Sequence, residues 1–366
     1  MEDKSMNSSL ISVMILSYNN FEYYKDCIDS VLNQSYENIE LIFLDDGSTN
    51  FPKRVIENYI NVNKKTNLKN YKIETNKKNI GLVKNYNKAI TMTYGEFIFY
   101  LSVDDVLFDF EVLRDVVNNF KTSKLHIFTG YRDYYDEKLE TYLCTLPNSN
   151  DVEVIKDQQN LFNAMIIENI IAGCCTPFTK ELIEITGLLD EKYSILEDYP
   201  RYLKLIKNNF KIGFIDRKLI KYRRGGITTS SNKNSTLDRD CILLHKEFVI
   251  PFYKSVYPEV FNKAKKKKII GWGASYGFIN IYDRIVEEFN ISYLVDVDTN
   301  RQNKFVNNLI VKPPEHISKE NFDEIFIMVF SDTYYKEIST SLNKIGLNEY
   351  LNFCKMNKEI MDLFFN

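Results

Sequence analysis

The chain has 366 residues but only three histidines, His126, His245 and His316, each isolated in sequence. This scarcity argues against a histidine-based triad and against a histidine-rich metal site. Its six cysteines include one adjacent pair, Cys174-Cys175, but no C-x-x-C spacing. That pattern gives neither a zinc site nor a disulfide framework, so reduced thiols are expected. Charge of one sign is also lacking. With 47 Lys and Arg against 50 Asp and Glu, the formal net charge is -3, and no global electrostatic footprint for nucleic acid exists. No apolar run is long enough to span a bilayer, and the first ten residues are short of apolar character. The expectation is a cytoplasmic protein, with room for peripheral contact at the inner face of the membrane.

What is present is an ordinary globular composition, 44% hydrophobic and 27% charged, over a length that suggests two domains. In the first half, apolar runs alternate with helical patterns. "LISVMILSYN", "IELIFLDDGS", "YKIETN" and "EFIFYLSVDD" read as strands. "FEYYKDCIDSVLNQS", a segment from Phe51 to Lys65, and "GLVKNYNKAITMT" read as the helices between them. Such alternation implies crossover connections and a mostly parallel, doubly wound sheet, in which ligands bind beyond the C-terminal strand ends. Tyr18-Asn19, Asp45-Asp46 and Asp104-Asp105 all fall at such ends. Further on, strands are expected near Leu125–Thr129 and Glu140–Leu146, and a helix from Cys241 to Ser255.

Adjacent carboxylates at a loop are hard oxygen ligands suited to Mg²⁺ or Mn²⁺, which one or two carboxylates hold together with substrate phosphates. An isolated Asp-Asp pair is as readily a solvated turn or a helix cap. Asp198, in "LEDYP", likewise stands where an N-cap stands, with Pro200 in the first helical turn.

The order and spacing of several segments decide between these readings. "SVMILSYNNFEYYKDCIDSVLNQSYENIELIFLDDGST", "NIGLVKNYNKAI", "GEFIFYLSVDD", "GLLDEKY", "LEDYPRYLKL" and "YRRGGITTS" together resemble the family 2 glycosyltransferases of the GT-A nucleotide-sugar-binding fold, over residues ~10–232. The resemblance implies that Tyr18, with Asn19 beside it, stacks on the uracil of a UDP-sugar. It implies that Asp46 hydrogen-bonds the base, with Asp45 in support. Asp104 and Asp105 match the metal-binding D-x-D motif, Asp105 as the direct ligand. Asp198 matches the general base, with Glu197 next to it. One departure stands out: Tyr86 occupies the position of the family's Arg, and Lys84 is the nearby residue able to supply positive charge to the diphosphate. Arg223 and Arg224, before Gly225-Gly226, are placed to reach the diphosphate from a closing loop or to form a basic surface turn.

Near Ala264 the texture changes to "NKAKKKKIIGWGASYGF", a lysine run followed by strand, glycine turn and helix. Gly271, Gly273 and Gly277, with Asp296 at the end of the next strand, approximate a dinucleotide fingerprint whose third glycine comes one residue late. This part resembles small Rossmann-like modules appended to bacterial sugar-modifying enzymes, and a structural or assembly role, such as homo-oligomer contact, outweighs nucleotide binding. The expected organisation is a GT-A domain over residues 1–232, a helical linker over 233–264 and a Rossmann-like α/β domain over 265–366.

The expected activity is an inverting, metal-dependent transfer of a hexose or hexosamine from a nucleoside diphosphate sugar. The acceptor is a hydroxyl of a bacterial surface glycan, capsule or lipo-oligosaccharide, free or lipid-linked. The rival readings are a non-catalytic nucleotide-sugar-binding scaffold and an NAD-dependent sugar-modifying enzyme.

Overall fold

A computed structural model describes residues 9–225 and 235–365. Contacts divide the chain into two compact units between Phe248 and Val249. Of the expected 233–264 linker, residues 235–248 thus go with the first unit and 249–264 with the second.

In the first unit, strands β1 (Ile11–Ser17), β2 (Ile39–Asp45), β3 (Leu68–Thr75) and β4 (Phe97–Ser102) alternate with helices α1 (Tyr24–Leu32), α2 (Lys53–Asn63) and α3 (Leu82–Met92). Every residue of β1 and β2 is buried, which is why they read as continuous apolar runs rather than alternating ones. Side chains such as Val13, Ile15 and Phe43 pack on one face against Cys27, Ile28 and Val31 of α1. Each such fully buried side chain contributes about 1.5–3 kcal/mol. The strand order is β3-β2-β1-β4, all parallel, with Phe178–Thr179 added antiparallel to β4. Ser17 pairs with Asp45, Asp45 with Thr75, and Leu16 with Ser102. The strands therefore finish level, and the residues that follow them share one edge.

A second, four-stranded sheet of this unit contains β5 (Val106–Leu107), β6 (Phe128–Tyr135) and β7 (Tyr142–Leu146). Helix α4 (Val112–Thr122) connects β5 to β6. Its long strand, Gly213–Arg223, runs parallel to β6 and antiparallel to β5. The strand expected near Leu125–Thr129 starts later and runs on to Tyr135. The helix expected over Cys241–Ser255 is interrupted instead. Ser235–Leu244 is helical, His245–Val249 forms a wider π turn, and Ile250–Ala264 resumes the α-helix.

The second unit is a six-stranded sheet ordered Phe305–Val306, Leu309–Lys312, Ile291–Val295, Lys268–Trp272, Ile325–Val329 and Phe353–Lys355. All pairings but the first are parallel. A Cβ on Gly277 would lie 2.2 Å from the Phe330 carbonyl oxygen, so close packing forbids a side chain there. Asp296, expected near a ribose, accepts the Ala274 and Asp298 backbone N–H groups at 2.8 and 2.9 Å and pairs with Arg301. Its carboxylate is occupied by its own turn and by the glycine turn that holds Ala274. Among the described residues no helix is long and apolar enough to cross a membrane.

Candidate active site

Beyond the ends of β1 and β2, Tyr18 is 49% exposed, an aromatic face open to a ligand. Asn19 has a φ of 49°, and its N–H donates to Ser48 Oγ at 2.7 Å, which ties the two strand ends together. Asp45 is wholly buried. It accepts from Ser17 Oγ, Ser48 N–H, Ser48 Oγ and Thr75 Oγ1 at 3.2, 2.8, 2.5 and 2.7 Å. Asp46 accepts from Asn76 Nδ2 and the N–H groups of Ile80 and Gly81 at 2.8, 2.9 and 2.9 Å. Both carboxylates therefore brace the strand ends and loops around them, and Asp46 fixes the loop that enters α3. Lys84 lies exposed on the first turn of that helix.

At the end of β4 the acidic doublet divides its work. Asp104 is half-buried and accepts from Ser102 Oγ. Asp105 is 1% exposed; its Oδ1 accepts the Arg223 N–H at 2.9 Å, while its Oδ2 is buried with no partner. Burial first, then the charge of Asp104, holds the Asp105 carboxyl well above the usual aspartate range. Arg223 is not on an open loop. It ends the Gly213–Arg223 strand, 3% exposed, and lies 3.8 Å above the Tyr23 ring. Its Nε, NH1 and NH2 donate to Asp104 O, Glu137 O and Asp26 Oδ2 at 2.8, 2.6 and 3.1 Å. Three of its five N–H donors are so engaged, and the buried guanidinium clamps the doublet to α1 and to the β6–β7 turn. Arg224 is exposed, and Gly226 lies outside the described residues.

Among the described residues no group of three or more His, Cys, Asp or Glu side chains forms a metal cage. The doublet nevertheless fits a hard divalent cation. Asp105 Oδ2 is an anionic ligand atom lacking any donor, and Mg²⁺ or Mn²⁺ completes its shell with water and phosphate. Asp104 and Asp105 are the residues that would hold it.

Glu197 and Asp198 sit at the start of helix Tyr199–Lys207. Asp198 is its N-cap, with Oδ1 accepting Tyr199 N–H at 2.5 Å. Its Oδ2 accepts Gly173 N–H at 3.0 Å and Asn169 Nδ2 at 3.4 Å. A side chain at Gly173 would crowd both acids, since its Cβ would stand 3.2 Å from Asp198 Cβ and 3.3 Å from Glu197 Oε1. Glu197 borders a largely apolar recess of about 370 Å³ lined by Tyr86, Phe178, Leu182, Leu189 and Arg201 among others. Burial, then the neighbouring Asp198, pushes its carboxyl up to about 8. Burial raises Asp198 also, but the Gly173 and Tyr199 N–H groups oppose that rise. Glu197 therefore keeps its proton at neutral pH, and Asp198, whose charged form the two N–H groups favour, is the partner better placed to accept another. Tyr86 packs against Tyr100 with the ring centres 4.9 Å apart and the planes tilted by 56°, and Arg201, donating to Thr186 Oγ1, lines the same recess.

Two contributors carried no sequence signal. Asp240, wholly buried, accepts the consecutive N–H groups of Ser194, Ile195 and Leu196 at 2.7, 2.7 and 3.2 Å, and so fixes the loop that presents Glu197. Arg132 on β6 stabilises the charged forms of both Asp105 and Asp198, which links the doublet and the pair in one electrostatic site. A charged residue in the tyrosine-rich strand "YRDYY" was the available hint.

Residues 12–186 match the model for glycosyl transferase family 2, and residues 265–351 match one described as C2185-like, N-terminal. A glycosyltransferase of Haemophilus influenzae is 23% identical over 98% of this chain and 94% of its own. The putative teichuronic acid biosynthesis glycosyltransferase TuaG of Bacillus subtilis is 25% identical over 61% of this chain and 82% of its own. The structure of S. aureus TarS 1–349 in complex with UDP aligns with a TM-score of 0.49 and 17% identity over 67% of this chain and 65% of that one. Through residues 12–186, just under half of its length, the chain is similar to glycosyl transferase family 2, and the curated relatives it matches are named glycosyltransferases.

Proposed function

We propose that this transferase moves a hexose or hexosamine from a nucleoside diphosphate sugar, UDP being the nucleotide expected, to a hydroxyl of a bacterial surface glycan with inversion. The single observation that carries the reading is the pairing of an unpartnered carboxylate oxygen on Asp105 with an Asp198 carboxylate held in place by the Gly173 and Tyr199 N–H groups beside Glu197. Tyr18 offers its ring to the base from one end of the site. The acceptor hydroxyl gives its proton to Asp198 as its oxygen bonds the anomeric carbon, and the bond from that carbon to the diphosphate oxygen breaks. Asp104 and Asp105 would hold a divalent cation, which would supply neutralisation of the charge left on the diphosphate. One displacement without a covalent intermediate inverts the anomeric centre. The name of the B. subtilis relative supports a cell-surface polymer as the acceptor class. A lipid-linked acceptor would place the protein at the inner face of the membrane.

The test is release of UDP from UDP-sugars with and without Mn²⁺. Metal-dependent release that disappears in Asp105→Ala and Asp198→Asn supports the reading. Wild-type turnover in both variants overturns the assignment of the site.

A further inference from the structure

Arg132 pairs in register with Ile220 of the long strand and with Leu146 of β7. Its guanidinium is half-buried and lies 5.2 and 5.6 Å from the ring centres of Tyr134 and Tyr222. NH1 reaches only the Cys174 sulfur, at 4.0 Å, and Nε is buried with no partner. Among the described residues no carboxylate pairs with it and no oxygen accepts from it. The other two buried or recessed arginines of the site have oxygen partners: Arg223 has three and Arg201 has Thr186.

A guanidinium cannot shed its charge, and a recessed cation without an anion costs several kcal/mol. Two tyrosine faces offset only part of that cost. The neighbours on either side fix where a counter-ion would come from. Cys174 follows Gly173, which holds Asp198, and Tyr222 precedes Arg223, which holds Asp105. The cation therefore stands between the proposed base and the proposed metal-holding acid, where the donor's reacting end must lie. Lys84, the residue expected from sequence to supply this charge, is exposed on α3.

We propose that Arg132 is the anion-holding residue of the donor subsite, taking a phosphate or carboxylate oxygen pair of the nucleotide sugar. The source is either the diphosphate itself or the carboxylate of an acidic sugar. This inference rests on the nucleotide-sugar reading above, and the experiment separates the two.

The full chain, as wild type, Arg132→Lys and Arg132→Met, is titrated calorimetrically with uridine, UDP, UDP-glucose and UDP-glucuronate in the presence of Mn²⁺. Losing a charge-assisted contact weakens binding roughly ten- to a hundredfold in Arg132→Met, with Arg132→Lys between. Weakened UDP binding with unchanged uridine binding supports the diphosphate as source. Unchanged UDP binding with selective weakening of UDP-glucuronate supports the sugar carboxylate. Should Arg132→Met fail to fold, Arg132→Lys carries the comparison, because the ammonium keeps the charge but not the fork. Equal affinities in wild type and variants for every ligand overturn the proposal alone. A wild type that binds none of the UDP ligands overturns the nucleotide-sugar reading, and this inference with it.

Discussion

The backbone N–H of Arg223 donates to Asp105 Oδ1 at 2.9 Å and leaves the other oxygen of the same carboxylate buried without a donor. An acid raised by burial in the folded state binds its proton more tightly there than in the unfolded chain. Its contribution to stability is present below the ordinary aspartate range and is lost as pH rises toward the raised value. Asp105→Asn removes that loss. The variant should gain roughly 0.5–2 kcal/mol at pH 8 without metal while losing turnover. Mn²⁺ with UDP should raise the melting temperature of the wild type alone. A variant melting below wild type at pH 8 would contradict this account.

Asp198→Asn keeps an oxygen able to accept the Tyr199 N–H, and Asn ranks with Asp as an N-cap. Its melting temperature should stay close to wild type while kcat falls about 10²- to 10⁴-fold. A parallel collapse of stability would make Asp198 a structural cap rather than a base.

Glu197 is raised from 4.5 to about 8, so its stabilising contribution is present at acid pH and disappears as pH climbs through about 8. Relative to wild type, Glu197→Gln should become progressively more stable between about pH 5 and 9, by on the order of 1–3 kcal/mol. The wild-type kcat profile should also bend near pH 8, where a second negative charge appears beside Asp198, and the variant should not bend there. Parallel stability curves in urea titrations across that range would refute the proton kept by Glu197.

Arg223→Met deletes three side-chain hydrogen bonds and the contact with Tyr23. The expected cost is about 2–4 kcal/mol in chemical denaturation, with weaker Mn²⁺ binding because the doublet loses its clamp. Asp26 is mostly solvated, so Asp26→Asn should cost no more than about 1 kcal/mol. Similar losses in the two variants would mean that the ion pair, not the backbone-directed clamp, is what Arg223 supplies.

In the second unit, Gly277→Ala drives a methyl group against the Phe330 carbonyl. Destabilisation of about 1–3 kcal/mol is expected. If Gly277 instead served only to admit a ligand, the melting temperature would not move.

The four parallel strands were legible because strands buried on both faces leave uninterrupted apolar runs, and the polar residues just past them mark the shared edge. The Asp104-Asp105 doublet and the Glu197-Asp198 pair were legible by type and order. Their environment was not. Arg223 reads as a loop cation next to two glycines, yet its partners Asp26 and Glu137 lie 197 and 86 residues away in sequence. Asp45 looks like a ligand beside Asp46, but its four donors come from three strand ends that only the register brings together. The π turn at His245–Val249 left no mark in an apolar periodicity that continues across it. In the second unit, Phe353–Lys355 is too short for any pattern to declare.

The single Asp240 oxygen that gathers the amides of Ser194, Ile195 and Leu196 sets the course of the chain into the proposed site from outside it. The loop that leads into the proposed acid pair is held by a side chain that enters the chain more than forty positions later. A lesion at Asp240 would therefore present as a slow enzyme with an intact binding surface, and a search for its cause confined to the substrate pocket would miss it.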